Sequence, residues 1–244
     1  GEFISDSQNP SPTDYVGLEF GQDSLFEYCA MKYCQSGLRL TGKPAGPVQH
    51  NHLQSQTGIL IDPNIIDYDE SLTIFNNFIN GGLDYGVKCS GSKGSILIHG
   101  NTFQNVDRAV YLSGPYNSEV QVRDNLFAGS SIAGIEVDPG TVSEPNFVLL
   151  NDYNGYYDND VNTLNVNQGS HDVTIYESPY FSGPDAYEPG WRLNKNPNAG
   201  GALLNAGSCL ITDPDSGYTT PTDWMIHCVS EDPNYLFDTT TSIV

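Results

Sequence analysis

The chain has 244 residues, 38% of them hydrophobic and 11% aromatic, enough to bury a sizeable core in one or two domains. Thirty acidic residues against nine basic ones give a net charge of −21, which argues against nucleic acid or an anionic membrane surface as partner, since both need cationic patches. Only 16% of residues are charged, and 25 Gly with 15 Pro point to a turn-rich, all-β chain. No run of apolar residues is long enough to predict membrane insertion, and no long apolar stripe has the helical period.

Gly1-Glu2-Phe3 reads as a cloning scar, so residues 1–13 are taken as a lead-in and the chain is expected to begin inside a longer precursor. From residue 14 a pattern sets in. Gly17-Leu18-Glu19-Phe20, Gly37-Leu38-Arg39-Leu40 and Gly58-Ile59-Leu60-Ile61 share one arrangement: a small residue, an apolar residue, a variable one and another apolar one. It continues in Gly86-Val87-Lys88-Cys89, Ala109-Val110-Tyr111-Leu112 and Gly134-Ile135-Glu136-Val137. Such alternation marks a strand with one buried face.

A second alternating run follows each of these, with Phe26, Val48, Leu72 and Ile74, Ile96 and Ile98, Val120 and Val122, and Val148 as its inward residues. Then comes Cys29, Asn51, Asn77, Asn101, Asn125 or Asn151, and two residues later Met31, Leu53, Ile79, Phe103, Phe127 or Tyr153. The intervals of this marker are 22, 26, 24, 24 and 26 residues. If each repeat makes one turn of a solenoid, equivalent residues stack about 4.8 Å apart. Apolar residues then form columns through a narrow core. The asparagines form a ladder in which each amide bonds to the next coil, and asparagine also tolerates a left-handed tight turn.

The stacked Gly-apolar-x-apolar segments, with the turns Gly100-Asn101-Thr102-Phe103 and Asp124-Asn125-Leu126-Phe127, resemble the right-handed parallel β-helix repeat family, which includes pectate-lyase-like proteins. The resemblance implies an all-β solenoid of about six or more coils over 14–159. It implies no single activity, because that architecture serves lyases, hydrolases, tailspikes and inert stalks. The motifs of polygalacturonase-type hydrolases and the Arg-containing signatures of pectate lyases are not found, so no catalytic residue carries over.

Past residue 159 the register fades. Residues 160–244 are read as an irregular C-terminal capping segment, with late strands and loops, that covers the open end of the core. At the N-terminal end, further coils, another domain or another subunit are expected as cover. Cys209 and Cys228 bracket an irregular loop that a disulfide would tie, Cys29 and Cys34 form a second candidate pair, and Cys89 falls on an inward position.

Chemistry is expected on the outward face of the first strand of each coil. Its variable column is Glu19, Arg39, Leu60, Lys88, Tyr111 and Glu136, flanked by Val16, Ser36, Thr57, Tyr85, Arg108 and Ala133. A polysaccharide lying across the coils would meet both columns. β-Elimination of a uronate needs a base, a cation to neutralise the carboxylate and an acid for the leaving oxygen. Lys88 or Arg108 suits the first two roles and Tyr111 the third. Hydrolysis needs two carboxylates, for which Glu136 with Asp138 or Asp84 is available. Arg39, Glu19, Tyr85 and Asp138 would contact substrate. Asp62, Asp67, Asp69 and Glu70 form an acidic loop with the oxygen chemistry of a Ca²⁺ site, although not with EF-hand spacing. Asp152, Asp158 and Asp160 form a second acidic group, and His50 and His52 share a turn. Tyr116, Tyr156 and Tyr157 are read as exposed aromatics beside Tyr85 and Tyr111. Composition alone suggests an extracellular or cell-surface setting, either as a glycan-active domain or as a rigid structural module.

Overall fold

A computed structural model describes residues 2–3, 17–21, 23–32 and 34–177. The chain begins with β1 (Glu2–Phe3), β2 (Leu18–Phe20), β3 (Phe26–Glu27) and β4 (Ala30–Lys32). The next coil is β5 (Ser36–Leu40), β6 (Val48–Gln49) and β7 (His52–Gln54), followed by β8 (Thr57–Ile61), β9 (Ser71–Phe75) and the long β10 (Phe78–Cys89). Then come β11 (Ser95–His99), β12 (Thr102–Leu112), β13 (Glu119–Arg123), β14 (Leu126–Ala128) and β15 (Ala133–Val137). After a short helix α1 (Pro139–Val142) the chain continues as β16 (Val148–Asp152), β17 (Gly155–Tyr157), β18 (Thr163–Leu164) and β19 (Val173–Ile175).

Every named strand pairing is parallel, between a strand and its equivalent one coil away, as in Leu38↔Ile59, Val87↔Val110 and Val110↔Ile135. The second strands form a six-stranded sheet of their own, in the order β16-β13-β11-β9-β6-β3, and the remaining strands form a 13-stranded sheet. Each coil thus has three strands where the sequence pattern suggests two. The apolar residue two positions after the marker (Met31, Leu53, Phe127) is the middle of a third, short strand. In β10 and β12 this strand runs on through the next corner into the following first strand. The core columns are fully buried: Leu38, Ile59, Val87, Val110 and Ile135 on one wall, Ile74, Ile98 and Val122 on another.

Small residues at the head of each first strand follow from close approach between coils. A Cβ added at Gly86 would lie 2.5 Å from Ala109 O and 2.6 Å from the Phe103 ring. Glycine is the residue that lets these walls close.

The asparagine ladder is present, with one correction. Asn77 N–H donates to Asn101 Oδ1 (2.9 Å), Asn101 N–H to Asn125 Oδ1 (3.0 Å), and Asn125 N–H to Asn154 Oδ1 (3.1 Å). The rung after Asn125 is therefore Asn154, not Asn151. α1 and the loop behind it lengthen this coil, so that Leu149 and Asn151 pair with Val120 and Val122. Val148 accordingly points outward and is exposed, and Tyr156 takes the core place expected of Tyr153, stacked on Phe127 at 5.2 Å. Among the described residues Cys29 is the first rung, its N–H donating to Asn51 Oδ1, and Asp172 the last, its Oδ1 accepting from Asn154 N–H at 2.7 Å. Nor do the rungs carry the left-handed backbone. That falls to the residue before each: Tyr28, His50, Asn76, Gly100, Asp124 and Tyr153 all have φ between 56° and 62°.

Strand pairing reaches beyond residues 14–159 at both ends, the candidate pair Cys29–Cys34 is not formed, and Cys89 is inward as its position predicts. Glu2–Phe3 forms a strand pairing with Ala30 and Met31, so this segment is part of the stack. Parallel pairing continues past residue 159 through β18 on β15 and β19 on β17. Cys29 and Cys34 are unbonded thiols. Cys89 is fully buried and burial pushes its thiol up to about 11. The proposed Cys209–Cys228 pair, the cap beyond residue 177 and Val16 lie outside the described residues.

Against the outer side of the asparagine corner stands a second column, of rings: Tyr28 on His50 at 4.8 Å, then Phe75 on His99 at 4.4 Å. His99, which follows the inward Ile98 and is outward by alternation, is 5% exposed, and burial pushes its pKa down to about 3. The unfolded chain takes up a proton near pH 6.5 that the native imidazole refuses, so this group costs stability as pH falls from about 6.5 towards 3. His99→Phe keeps the stack and removes the proton acceptor. Its melting temperature is expected to fall less than the parent's between pH 7 and pH 4, and equal falls would rule His99 out as the source.

Candidate functional site

The first-strand register places the variable residues in one file, Glu19↔Arg39↔Leu60↔Lys88↔Tyr111↔Glu136, which β18 extends to Leu164. Beside it run Ser36↔Thr57↔Tyr85↔Arg108↔Ala133. Thr57, Tyr85 and Arg108 are half-buried, whereas Ser36 and Ala133 are buried, so the flanking column is open only in its middle coils.

There the side chains converge. Lys88 Nζ lies 4.4 Å from the centre of the Tyr85 ring and 6.0 Å from that of Tyr111. The two rings are 5.2 Å apart and tilted by 43°, and the Arg108 guanidinium is 5.6 Å from Tyr85. Arg108 Nε donates to Glu136 Oε2 in a tight ion pair. Partial burial draws the Arg108 pKa down, but the Glu136 carboxylate outweighs it and holds the guanidinium above its ordinary value. Burial, then the charge of Asp138 and the neighbouring Tyr85 and Glu136, raise the Tyr111 phenol.

Four of the residues nominated for catalysis (Lys88, Tyr111, Arg108, Glu136) and one nominated for binding (Tyr85) thus form one cluster. The rest stand apart or are occupied. Arg39 forms a fork with Asp62, Nε to Oδ1 at 3.1 Å and Nη2 to Oδ2 at 2.9 Å, and reaches Glu19 at 3.5 Å. Asp138 caps α1, its carboxylate accepting from Gly140 N–H at 2.8 Å. Asp84 accepts from Gln56.

Three of the four carboxylates of the acidic loop pair with separate cations. Asp62 faces Arg39, Asp67 pairs with Lys93 at 3.6 Å, and Glu70 pairs with Lys43 at 2.9 Å while also accepting from Asp67 N–H. Asp69 is exposed. Among the described residues no His, Cys, Asp and Glu side chains group as metal ligands would. His50 and His52 are engaged separately, with Asn76 and Asn80. Of the other tyrosines, Tyr116 and Tyr156 are buried, the former donating to Cys89 O at 3.1 Å.

A group missed by sequence reasoning lies at the far end, where His171 binds Asp152 (Nδ1 to Oδ2, 2.7 Å) and stacks on Tyr153 at 4.5 Å. Burial raises the Asp152 carboxyl, but its bonds from His171 outweigh that and hold it low. The last rung, Asp172, is raised by burial despite two backbone donors. Alternation could not reveal this group, because residues 165–172 cross the corner without a strand.

A family model described as right handed beta helix region matches residues 9–151, more than half of the chain. The chain belongs to the right-handed β-helix family. No curated protein and no solved structure matches it. Membership establishes this β-helix as a solenoid and leaves its chemistry to the residues above. No helix among the described residues is long and apolar enough to cross a membrane.

Proposed function

We infer that this β-helix is an extracellular or cell-surface domain that binds a polysaccharide along the outward file of its first strands. One observation carries the reading. In a chain of 30 acidic residues, Lys88 has no ion pair with a carboxylate among the described residues and instead rests against Tyr85 and Tyr111. A cation held among aromatic faces suits an anionic substituent on a sugar whose apolar face stacks on the rings. Arg108, spent on Glu136, serves as a positioning residue for Tyr85 and not as a base. If the bound glycan is cleaved, Lys88 is the base or the carboxylate neutraliser and Tyr111 the proton donor. Glu136, paired with a guanidinium, suits a hydrolytic pair poorly.

Lys88→Ala and Tyr111→Ala are each expected to abolish binding to acidic polysaccharides, or their turnover, without changing the circular dichroism. Binding is read by calorimetry, and cleavage by the unsaturated-uronate absorbance and reducing ends. Full binding by both variants would remove this face from consideration. A second reading, a rigid spacer of a larger surface protein, is favoured by the Glu19–Arg39–Asp62 group, whose charges are spent on one another. That reading predicts no glycan binding even in the parent protein.

A further inference from the structure

Where β17 passes into β18 the surface sinks into a hollow of about 370 Å³, within the ~300–1,000 Å³ usual for small-molecule sites. Tyr157, Asp158, Asp160, Asn162, Thr174 and Tyr176 are among the residues that line it. Asn162 Nδ2 donates to Thr174 Oγ1 at 3.3 Å, joining the corner to β19. Tyr176 is 87% exposed, a large aromatic presented to solvent. Asp158 and Asp160 are exposed and form no ion pair among the described residues, in contrast to Asp62, Asp67, Glu70 and Glu136, each of which faces a cation.

We propose that this hollow is a subsite for a neutral, hydroxyl-rich sugar ring. The open face of Tyr176, with Tyr157 beside it, offers a platform for the apolar face of a pyranose. Carboxylates are acceptor-only groups that take hydroxyl hydrogens in pairs, and two of them here have no side-chain partner among the described residues. With no compensating cation they repel a uronate or a sulfated ring, so the ligand is uncharged. The place in the fold agrees. Leu164 of β18 continues the file of Lys88, Tyr111 and Glu136 about three coil spacings of ~4.8 Å from Lys88, and the corner that holds the hollow leads into it two residues after Asn162. The ligand class rests on the glycan reading above, while the residues are separate, so the two ideas fail separately.

The test uses the full chain, isotopically labelled for NMR and titrated with neutral gluco-, manno- and xylo-oligosaccharides. Oligogalacturonate and calcium chloride are the comparators. A neutral oligosaccharide is expected to shift resonances of residues 157–162 and 174–176. Tyr176→Ala and Asp160→Asn, both at exposed positions, should each weaken that binding by ~10-fold or more, and Lys88→Ala should leave it unchanged. The proposal is overturned if no neutral sugar shifts these resonances or if both variants bind as the parent does. Larger shifts with calcium or oligogalacturonate, or contacts showing that residues 178–244 already fill the hollow, would overturn it equally. Loss of acidic-glycan binding in Lys88→Ala with no neutral binding anywhere would leave the first-strand face standing and this subsite refuted.

Discussion

Asn101→Ala is expected to lower the unfolding free energy by about 4 kcal/mol, among the largest losses from any single polar truncation in the chain. The Asn101 side chain accepts from Asn77 N–H (2.9 Å) and Asn77 Nδ2 (3.0 Å). It donates to Ile74 O (2.9 Å), His99 O (3.0 Å) and Asn125 Oδ1 (3.1 Å). Alanine would leave donors and carbonyls of three coils unpaired at a corner that water does not reach, and each buried orphan costs roughly 1–3 kcal/mol. Asn101→Asp keeps the acceptor but loses both donors and buries a charge, so it should be no better. Asn167→Ala, at an exposed position beyond the ladder, is the control and should stay within about 0.5 kcal/mol. Urea midpoints at constant m-value measure all three. A midpoint for Asn101→Ala equal to the parent's would mean that the ladder contributes nothing.

Phe127→Ala is expected to cost about 3–5 kcal/mol. Phe127 is fully buried between Phe103, 5.2 Å away at 15°, and Tyr156, 5.2 Å away at 23°. The three rings form one continuous stack across three coils, so truncating the middle one removes contacts on both faces and leaves a cavity the stiff walls cannot close. Phe127→Leu retains most of the volume and should lose less than half as much. Thermal melts and denaturant titrations of both variants check the order. Equal stability of the two would show that the stack relaxes into the gap.

Stacking is what made this architecture legible. A solenoid places Leu38, Ile59, Val87, Val110 and Ile135 in identical surroundings, so the same chemistry returns at the same interval and the eye can follow it. The file of Lys88, Tyr111 and Glu136 came from the same register. Failures arose where a coil departs from the repeat. The helix after Asp138 hid Asn154 behind Asn151, and third strands of two or three residues were too short to show alternation. The Arg108–Glu136 pair crosses from one column to the other, which spacing within a column does not reveal. His99 and Tyr116 are outward by pattern and buried in fact, because neighbouring coils cover a corner that looks open in a single repeat.

The pairing of each coil with its neighbours has a mechanical corollary. In a parallel ladder wound this way, the backbone bonds between coils point along the winding axis, and each coil grips only the ones before and after it. Tension applied through the two ends meets those bonds head-on and in series, while a load across the axis is spread over many coils at once. Stretched lengthwise, the molecule gives way one coil after another; pressed broadside, it resists as a single block.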